Sequence, residues 1–536
     1  MDLTQEVQAW IADDPDPKTA AQLQQWLDSN NKVELRASFN GFLQFGTAGL
    51  RGPIRPGPSG MNRAVVGRTA AGLVAYMKER NLTSVVIGRD ARYGSEDFTF
   101  ETAEIMSGAG MKVYVLPRPL PTPVLAFATN ELKCDVGIMV TASHNPPQDN
   151  GYKVYLGGTV DGIHYRGSQI ISPTDESIAK KIDSITSLAS QPRGKEWTVL
   201  GEEVVHKYVG ITAALAQRPG NLKIVYTAMH GVGTQTLQRV FHKAGFPQPI
   251  LVDAQAQPDP DFPTVAFPNP EEPGAIDLAL ETARTFDADL VIANDPDADR
   301  CAAAVKDPIK GWRMLRGDEL GVILGETIAR ATSKGILANS IVSSSILSKI
   351  AAHYKLEFKE TLTGFKWLAK IDGLTFGYEE ALGYAVDAIT VNDKDGISAA
   401  IKLAQIATDL AAENKTLLDL LDEVWARHGF HATEQISIRL TDLSQVGVIM
   451  GGLRSNSPKE IAGRSVTSID DLANPSDGLP PTDGLRIWLD GGIRIIIRPS
   501  GTEAKMKCYI EAIAKDSATA QTVLDQLRAP LKELLS

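Results

Sequence analysis

Residues 135–147 read DVGIMVTASHNPP, and the fold class turns on them. A strongly apolar run, Val136 to Val140, stops abruptly at Thr141, Ala142, Ser143, His144, Asn145 and two prolines. That pattern reads as a strand running into a polar loop. The prolines keep the loop from becoming a regular helix, so the Ser143 hydroxyl is expected to be exposed and conformationally fixed. Locally, a loop-capping serine and a nucleophile are equally good readings of Ser143, and no G-x-S-x-G elbow is present.

The same texture recurs on both sides. SVVIGRDAR (84–92) is a strand into a loop, followed by a helix from about 96 to 109 and a strand KVYVL (112–116). LKIVYTAMHGVGT (222–234) starts the pattern again, with a Gly-rich loop before a helix at 235–244, and DLVIANDPDADR (289–300) is its later strand and loop. A third round opens with a helix at 318–333 and a strand SIVSSSIL (340–347), and reaches LTFGYEEALGY (374–384). Strands alternating with helices point to α/β architecture with mixed, largely parallel sheets, in three related units. Ligands of open α/β sheets sit beyond the carboxyl ends of strands, so these polar loops are the places for chemistry.

Before the first unit, residues 6–28 read as a helical arm interrupted by DDPDP. After a helix at 397–427 the texture changes to ISIRL, the Pro/Asp/Gly-rich stretch 473–484, GIRIIIRPSGTEAKMKCYIEAIA and a final helix at about 516–534, which together read as a smaller α+β domain. The expected domains are 1–205, 206–310, 311–430 and 431–536.

A chain of 536 residues is too long for one core and has room for several such domains. The N-terminus is acidic and polar, unlike a signal peptide. No apolar run approaches the roughly 18 residues that a membrane span needs. Cys134, Cys301 and Cys508 are scattered, which indicates neither a disulfide framework nor a zinc site. A cytoplasmic protein is expected, without a membrane partner. A formal charge of -11 argues against a nucleic-acid footprint, although basic residues gathered in one cleft would still attract a small anion.

Three segments carry the chemistry. In NDPDADR, Asp295, Asp297 and Asp299 recur at every second residue; on an extended loop they turn to one side, and crowded anionic oxygens call for a hard cation, magnesium. An EF-hand fails, because Arg300 and Lys306 stand where its loop needs Gly and Glu. An aspartyl-phosphate at Asp295 with Asp297 as acid/base is the other alternative. RPSGTEAKMK (498–507) combines a guanidinium, hydroxyls, a glycine and two lysines, which suits a phosphate dianion or merely a basic hairpin. GYEEALGY offers Glu379 and Glu380 to vicinal hydroxyls, or is an acidic surface turn. Lys366 in TGFKW and Lys394 in NDKDG could bind phosphate or move protons.

Taken in order, FGTAGLRG, IGRD, TASHNPP, DPDADR, TGFKW, GYEEALGY with DKDG, and RPSGTEAK resemble the α-D-phosphohexomutase superfamily over about residues 40 to 512. The resemblance implies four domains around a central cleft. It implies an enzyme that interconverts sugar 1- and 6-phosphates through a phosphoserine and a bisphosphate intermediate such as glucose 1,6-bisphosphate. Ser143 matches the phosphorylated serine, and Asp295, Asp297 and Asp299, with a phosphoserine oxygen, match the magnesium ligands. Thr47 and Arg51 border the reaction centre, Arg300 follows the ligands, and His144, Lys153 and Lys394 are the candidates for proton transfer. Thr363, Gly364 and Lys366 match substrate-loop residues, and Arg498, Ser500, Gly501, Thr502 and Lys507 match a clamp for the non-reacting phosphate. The sugar loop departs from the family's Glu-x-Ser, since Ala381 follows Glu379 and Glu380. The expected partners are small sugar phosphates, glucose phosphate first and mannose or pentose phosphate next, on a monomer or homodimer. A phosphatase or a non-catalytic sugar-phosphate binder is the competing class.

Overall fold

The computed structural model describes residues 2–46, 49–442, 444–500 and 505–535. The chain forms two compact units, one of Met1–Leu315, Ala369–Asp372 and Ala381–Ala412, the other of Arg316–Leu368, Gly373–Glu380 and Glu413–Ser536.

The first unit begins with the helical arm, Leu3–Asp13 and Pro17–Asp28, joined by a third helix, Lys32–Ser38, around Val7, Leu23 and Leu35. In the sheet that follows, Ser84–Arg89 runs parallel to Lys112–Val115 on one side and to Val136–Val140 on the other. Every residue of Val136–Val140 is buried, as expected of a strand covered on both faces. Asp149–Leu156 then pairs antiparallel with Val136–Val140, and Leu50–Pro53 pairs antiparallel with Asp149–Leu156. These two pairings make the sheet mixed, and they place Arg51 and Lys153 on strands next to the Ser143 loop.

The second sheet orders its strands Ile250–Leu251, Ile224–Thr227, Leu290–Ala293, Ala302–Asp307 and Gly311–Met314, the first three parallel and the last two antiparallel. In the second unit, Ile336–Ser340 lies parallel to Glu357–Thr361 and to Leu374–Glu379. The C-terminal domain is an antiparallel sheet ordered Phe430–Arg439, Lys505–Ala514, Ile493–Pro499, Leu485–Leu489, Arg464–Asp471 and Glu460–Ile461. Its period-two pattern shows in GIRIIIRP: Ile493, Ile495 and Ile497 pack with Leu524, Leu527 and Leu531 of the helix Ser517–Leu534, while Ile496 faces a second cluster with Ile341 and Tyr509. The α/β class with three α/β units and a C-terminal α+β domain is what the sequence implied. Among the described residues no helix is long and apolar enough to cross a membrane.

Two expectations fail locally. SIVSSSIL is not a strand: the strand ends at Ser340, and a helix starts at Ile346. Between them the serine hydroxyls and amides close a turn, with Ser343 N on Ser340 O at 3.0 Å and Ser344 N donating to Asp318 at 2.7 Å. The single helix at 397–427 is two helices, Gly396–Ala412 and Leu417–His428. Asn414 is left-handed, and Thr416 opens the second helix in a reciprocal capping box with Asp419.

Candidate active site

Four loops of the first unit meet at one buried cluster. Ser143 stands just beyond the strand Val136–Val140 with φ 54°, a left-handed conformation that costs a side-chain-bearing residue energy. It is buried, contrary to the exposed hydroxyl expected, because the next strand folds back over the loop. Its amide donates to Thr141 Oγ1 at 2.9 Å. Its Oγ donates to Asp295 Oδ2 at 3.1 Å and lies 3.2 Å from His144 Nδ1.

Asp295, Asp297 and Asp299 follow the strand Leu290–Ala293 and bring ligand oxygens within 4.8 Å of one another. They do not converge by extended alternation. Ala298 N closes a turn on Asp295 O at 2.8 Å and Ala298 is left-handed, so the backbone curls to aim the three carboxylates together. All three are essentially fully buried. Two of their oxygens, Asp297 Oδ1 and Asp299 Oδ1, have no hydrogen-bond partner among the described residues. Buried carboxylate oxygens in that state suit a hard cation.

Cations of the chain surround the cluster. Lys153 Nζ bridges Asp297 Oδ2 at 2.7 Å and Asp299 Oδ2 at 2.9 Å. Lys394 Nζ is 3.4 Å from Asp299 Oδ2, and the Arg300 amide donates to Asp295 Oδ1 at 3.0 Å. Burial disfavours every charge here, and partners decide the outcome. Asp295 is pushed well above the usual carboxylate range by burial and by Asp297 and Asp299. Asp299 is held far below it despite burial, by Lys153, Lys394 and Arg300. Lys153 stays charged because Asp297 and Asp299 outweigh its burial. Burial, reinforced by Arg300 and Arg51, keeps His144 neutral. Arg51 reaches the loop through Asn145, whose Oδ1 accepts from Nη1 at 3.2 Å.

Lys394 arrives from far along the chain because Ala381–Ala412 returns to the first unit. Gly396 packs on the Arg300 carbonyl so closely that an added Cβ would lie 2.1 Å from it, so only glycine fits. Asp395 accepts from the amides of Ile397 and Ser398 and from Tyr208 Oη at 2.9 Å, which anchors the loop to the helix Glu203–Ala213.

The remaining candidates lie in the second unit. Gly364, at φ 114°, donates its amide to Glu379 Oε1 at 2.6 Å, tying the TGFKW loop to the end of the strand Leu374–Glu379. Lys366 lies in the short helix Phe365–Leu368, and the Thr363 hydroxyl is buried. Glu379 is buried rather than part of an acidic surface turn, and Glu380 accepts from Ser340 and Ser343 hydroxyls at 3.2 Å. Ala381 belongs to the segment that returns to the first unit. Arg498 faces Lys507 across the hairpin of Ile493–Pro499 and Lys505–Ala514, and the Ser500 amide donates to Lys505 O at 2.8 Å. Thr47, Gly501 and Thr502 lie outside the described residues.

The sequence reading missed three members of the first cluster. Thr122 donates its hydroxyl to Asp297 Oδ2 at 2.6 Å, Asp393 accepts the Lys394 amide at 2.8 Å, and Arg92 lies beneath the Ser143 loop. None belongs to a chemically distinctive pattern, although Arg92 follows IGRD by two residues and Asp393 adjoins Lys394.

Comparison with known proteins agrees with this geometry. Residues 43–189, 204–311 and 316–428 match the phosphoglucomutase/phosphomannomutase alpha/beta/alpha domains I, II and III, and residues 453–529 match the C-terminal domain of that family. A probable phosphomannomutase of Haemophilus influenzae is 48% identical over 483 residues, 89% of this chain and 98% of its own. A phosphopentomutase of Mus musculus is 33% identical over 597 residues, 99% of this chain and 94% of its own, and a phosphoglucomutase of Staphylococcus haemolyticus is 32% identical over 90% and 92%. A solved structure, a putative phosphomannomutase from Thermus thermophilus, shares the fold with TM-score 0.70 at 22% identity, over 91% of this chain and 99% of that one.

Proposed function

Because the chain belongs to the phosphoglucomutase/phosphomannomutase family, we propose that Ser143 carries the phosphoryl group between the 1- and 6-positions of a sugar phosphate. Members of the family are enzymes of the intramolecular phosphotransferase kind, and this chain is one of them. The observation that carries the assignment of Ser143 is its Oγ, 3.1 Å from Asp295 inside a buried cluster of carboxylates and cations.

In the proposed cycle, phosphorylated Ser143 gives its phosphoryl group to the free hydroxyl of a sugar monophosphate. The bond from phosphorus to the sugar oxygen forms, the bond to Oγ breaks, and the hydroxyl proton passes to a base. The resulting bisphosphate turns and returns its other phosphate to Ser143. His144 Nδ1, 3.2 Å from Oγ and held neutral, is positioned to take or return a proton at Ser143, and Lys394 is the second candidate. Asp295, Asp297 and Asp299 would hold magnesium, which fits their unpartnered buried oxygens; when bound it neutralises charge on the transferring phosphoryl group. Lys153 compensates the carboxylates from within the chain and is charged for the same electrostatic task.

Arg51 and Arg300 are assigned to the reacting phosphate, together with Thr47. In the second unit, Thr363, Gly364 and Lys366 are assigned to the substrate loop and Glu379 to sugar hydroxyls. Arg498, Ser500, Gly501, Thr502 and Lys507 are assigned to the other phosphate. The relatives carry names from mannose, pentose and glucose phosphate chemistry. We place glucose phosphate first, on the GYEEALGY form of the sugar loop, with a bisphosphate such as glucose 1,6-bisphosphate as activator.

The test is twofold. Ser143→Ala should abolish mutase activity and the acid-stable, hydroxylamine-resistant label left by a labelled bisphosphate; full activity in that variant would sink the mechanism. Catalytic efficiencies on glucose, mannose, glucosamine and ribose 1-phosphates then rank the sugars, and a ranking led by another sugar replaces glucose.

A further inference from the structure

Arg92 is 5% exposed and spends its whole guanidinium on the loop that carries Ser143. Nη2 donates to Ser143 O and to Asn145 O, each at 2.6 Å. Nη1 donates to Pro146 O at 2.8 Å and to Asp149 O at 3.2 Å. Four carbonyls within seven residues therefore turn inward onto one planar fork. Nε is 3.3 Å from Asp90 Oδ2, and the Phe262 ring stacks 4.8 Å from the guanidinium carbon. Asp90 is itself fixed: its carboxylate accepts from the Arg92 amide and from Ser95 Oγ, and its amide donates to Val140 O, the last residue of the strand that leads to Ser143.

We infer that Arg92 is a positioning residue: by gathering the carbonyls of residues 143, 145, 146 and 149 it holds Ser143 in its left-handed conformation and aims Oγ at Asp295. The inference rests on the reading of Ser143 as the phosphoryl carrier. A left-handed serine does not persist on local preference, because its Cβ crowds the following carbonyl. The surrounding bonds must over-determine it, and among the described residues Arg92 supplies the side-chain donor to the Ser143 carbonyl. The geometry needs a fork. A lysine ammonium is a single point without the planar set of donors, so it cannot serve four carbonyls spread along the loop. The four Nη bonds of Arg92 all end on loop carbonyls and none on a carboxylate of the metal cluster, which separates its role from that of Lys153.

The experiment uses the full chain with magnesium, glucose 1-phosphate and glucose 1,6-bisphosphate. Arg92→Lys should fold, with Tm within about 5 °C of the parent. Its kcat should fall about 100-fold, as expected for a reacting group displaced by roughly 1 Å. KM for glucose 1-phosphate should stay within about threefold, since the substrate-holding residues are untouched. Single-turnover labelling of Ser143 from the labelled bisphosphate should slow by the same factor as kcat. In Arg92→Ala, added methylguanidinium should restore kcat at least about tenfold, the recovery expected when a missing charged fork is supplied from solution. A folded Arg92→Lys with parental kcat, a loss confined to KM, or an Arg92→Lys chain that does not fold would each overturn the inference, the last because the residue would then support the domain and not the loop. The two failures are distinguishable: an unmutated chain that never labels at Ser143 refutes the carrier reading, whereas normal labelling in both chains refutes only the role of Arg92.

Discussion

The Lys153 ammonium lies 2.7 Å from Asp297 Oδ2, with both side chains buried. It is the chain's own counter-charge inside a cluster that otherwise holds three carboxylates, so the pair is a test of how that cluster is kept together. Removing one member of a buried pair typically costs about 3–5 kcal/mol because the other charge is left uncompensated. Lys153→Met in EDTA should therefore show a clearly lower Tm than the parent. Added magnesium should stabilise the variant more than the parent. Equal Tm values in EDTA would show that Lys153 does not compensate the carboxylates.

His144 Nδ1 stands 3.2 Å from Ser143 Oγ and is held neutral by burial and by Arg300 and Arg51. His144→Gln keeps a polar side chain but removes the basic nitrogen. The kcat should drop by about 10²–10⁴, the usual range for loss of a positioned acid/base, with little change in KM. Steady-state rates on glucose 1-phosphate check this; a kcat near that of the parent would move the proton-transfer role to Lys394.

Tyr208 donates to Asp395, the residue that caps the helix behind Lys394. Burial raises the Asp395 pKa to about 6, and bonds from the Ser398 amide and Tyr208 limit the rise. For a carboxylate raised in this way, ionisation costs stability: the cost is absent below the ordinary value of 3.8 and is fully present above about 6. The Tyr208 bond matters most when Asp395 is charged. Tyr208→Phe should lose about 1.5–3 kcal/mol at pH 7.5, the worth of a hydrogen bond to a charged group, and markedly less at pH 5. Thermal melts at the two pH values would refute this if the Tm difference were the same at both.

Glu511 in the second unit lies 3.0 Å from Arg494 and 2.9 Å from His431 Nδ1, and accepts from Ser344 Oγ at 2.6 Å. Burial opposes its charge, but Arg494 first and then His431 and Ser344 override burial and hold its pKa down to about 2. The stabilisation is present above the ordinary value of 4.5 and is lost as pH falls toward 2. The pKa difference corresponds to something on the order of 3 kcal/mol. Glu511→Gln should be less stable than the parent at pH 7, and the gap should close as the pH approaches 2. Urea midpoints followed by tryptophan fluorescence across that range measure it.

Much of the fold was legible because hydrophobic patterning is local. Val136–Val140, Ile224–Thr227 and Leu290–Ala293 announce themselves as buried strands, and their boundaries match the sequence reading to within a residue or two. The reading failed where polar caps compete with propensity. The serines after Ser340 and the Asn414 to Thr416 break end their elements through side-chain bonds that an apolar pattern does not register.

By itself, the sequence determined the α/β class, the family resemblance, the motif loops and the three aspartates as a set, since these follow from residue type and spacing along the chain. Only the tertiary structure decided that Ser143 is buried and left-handed, that a turn at Ala298 and not an extended loop gathers the carboxylates, and that Ala381–Ala412 returns Lys394 to them. It alone revealed Arg92 and Thr122. The physical reason is the same in each case: a buried charge or a strained backbone is tolerated only when several distant groups satisfy it together, and that satisfaction is a property of three-dimensional neighbours, which no spacing in the sequence encodes.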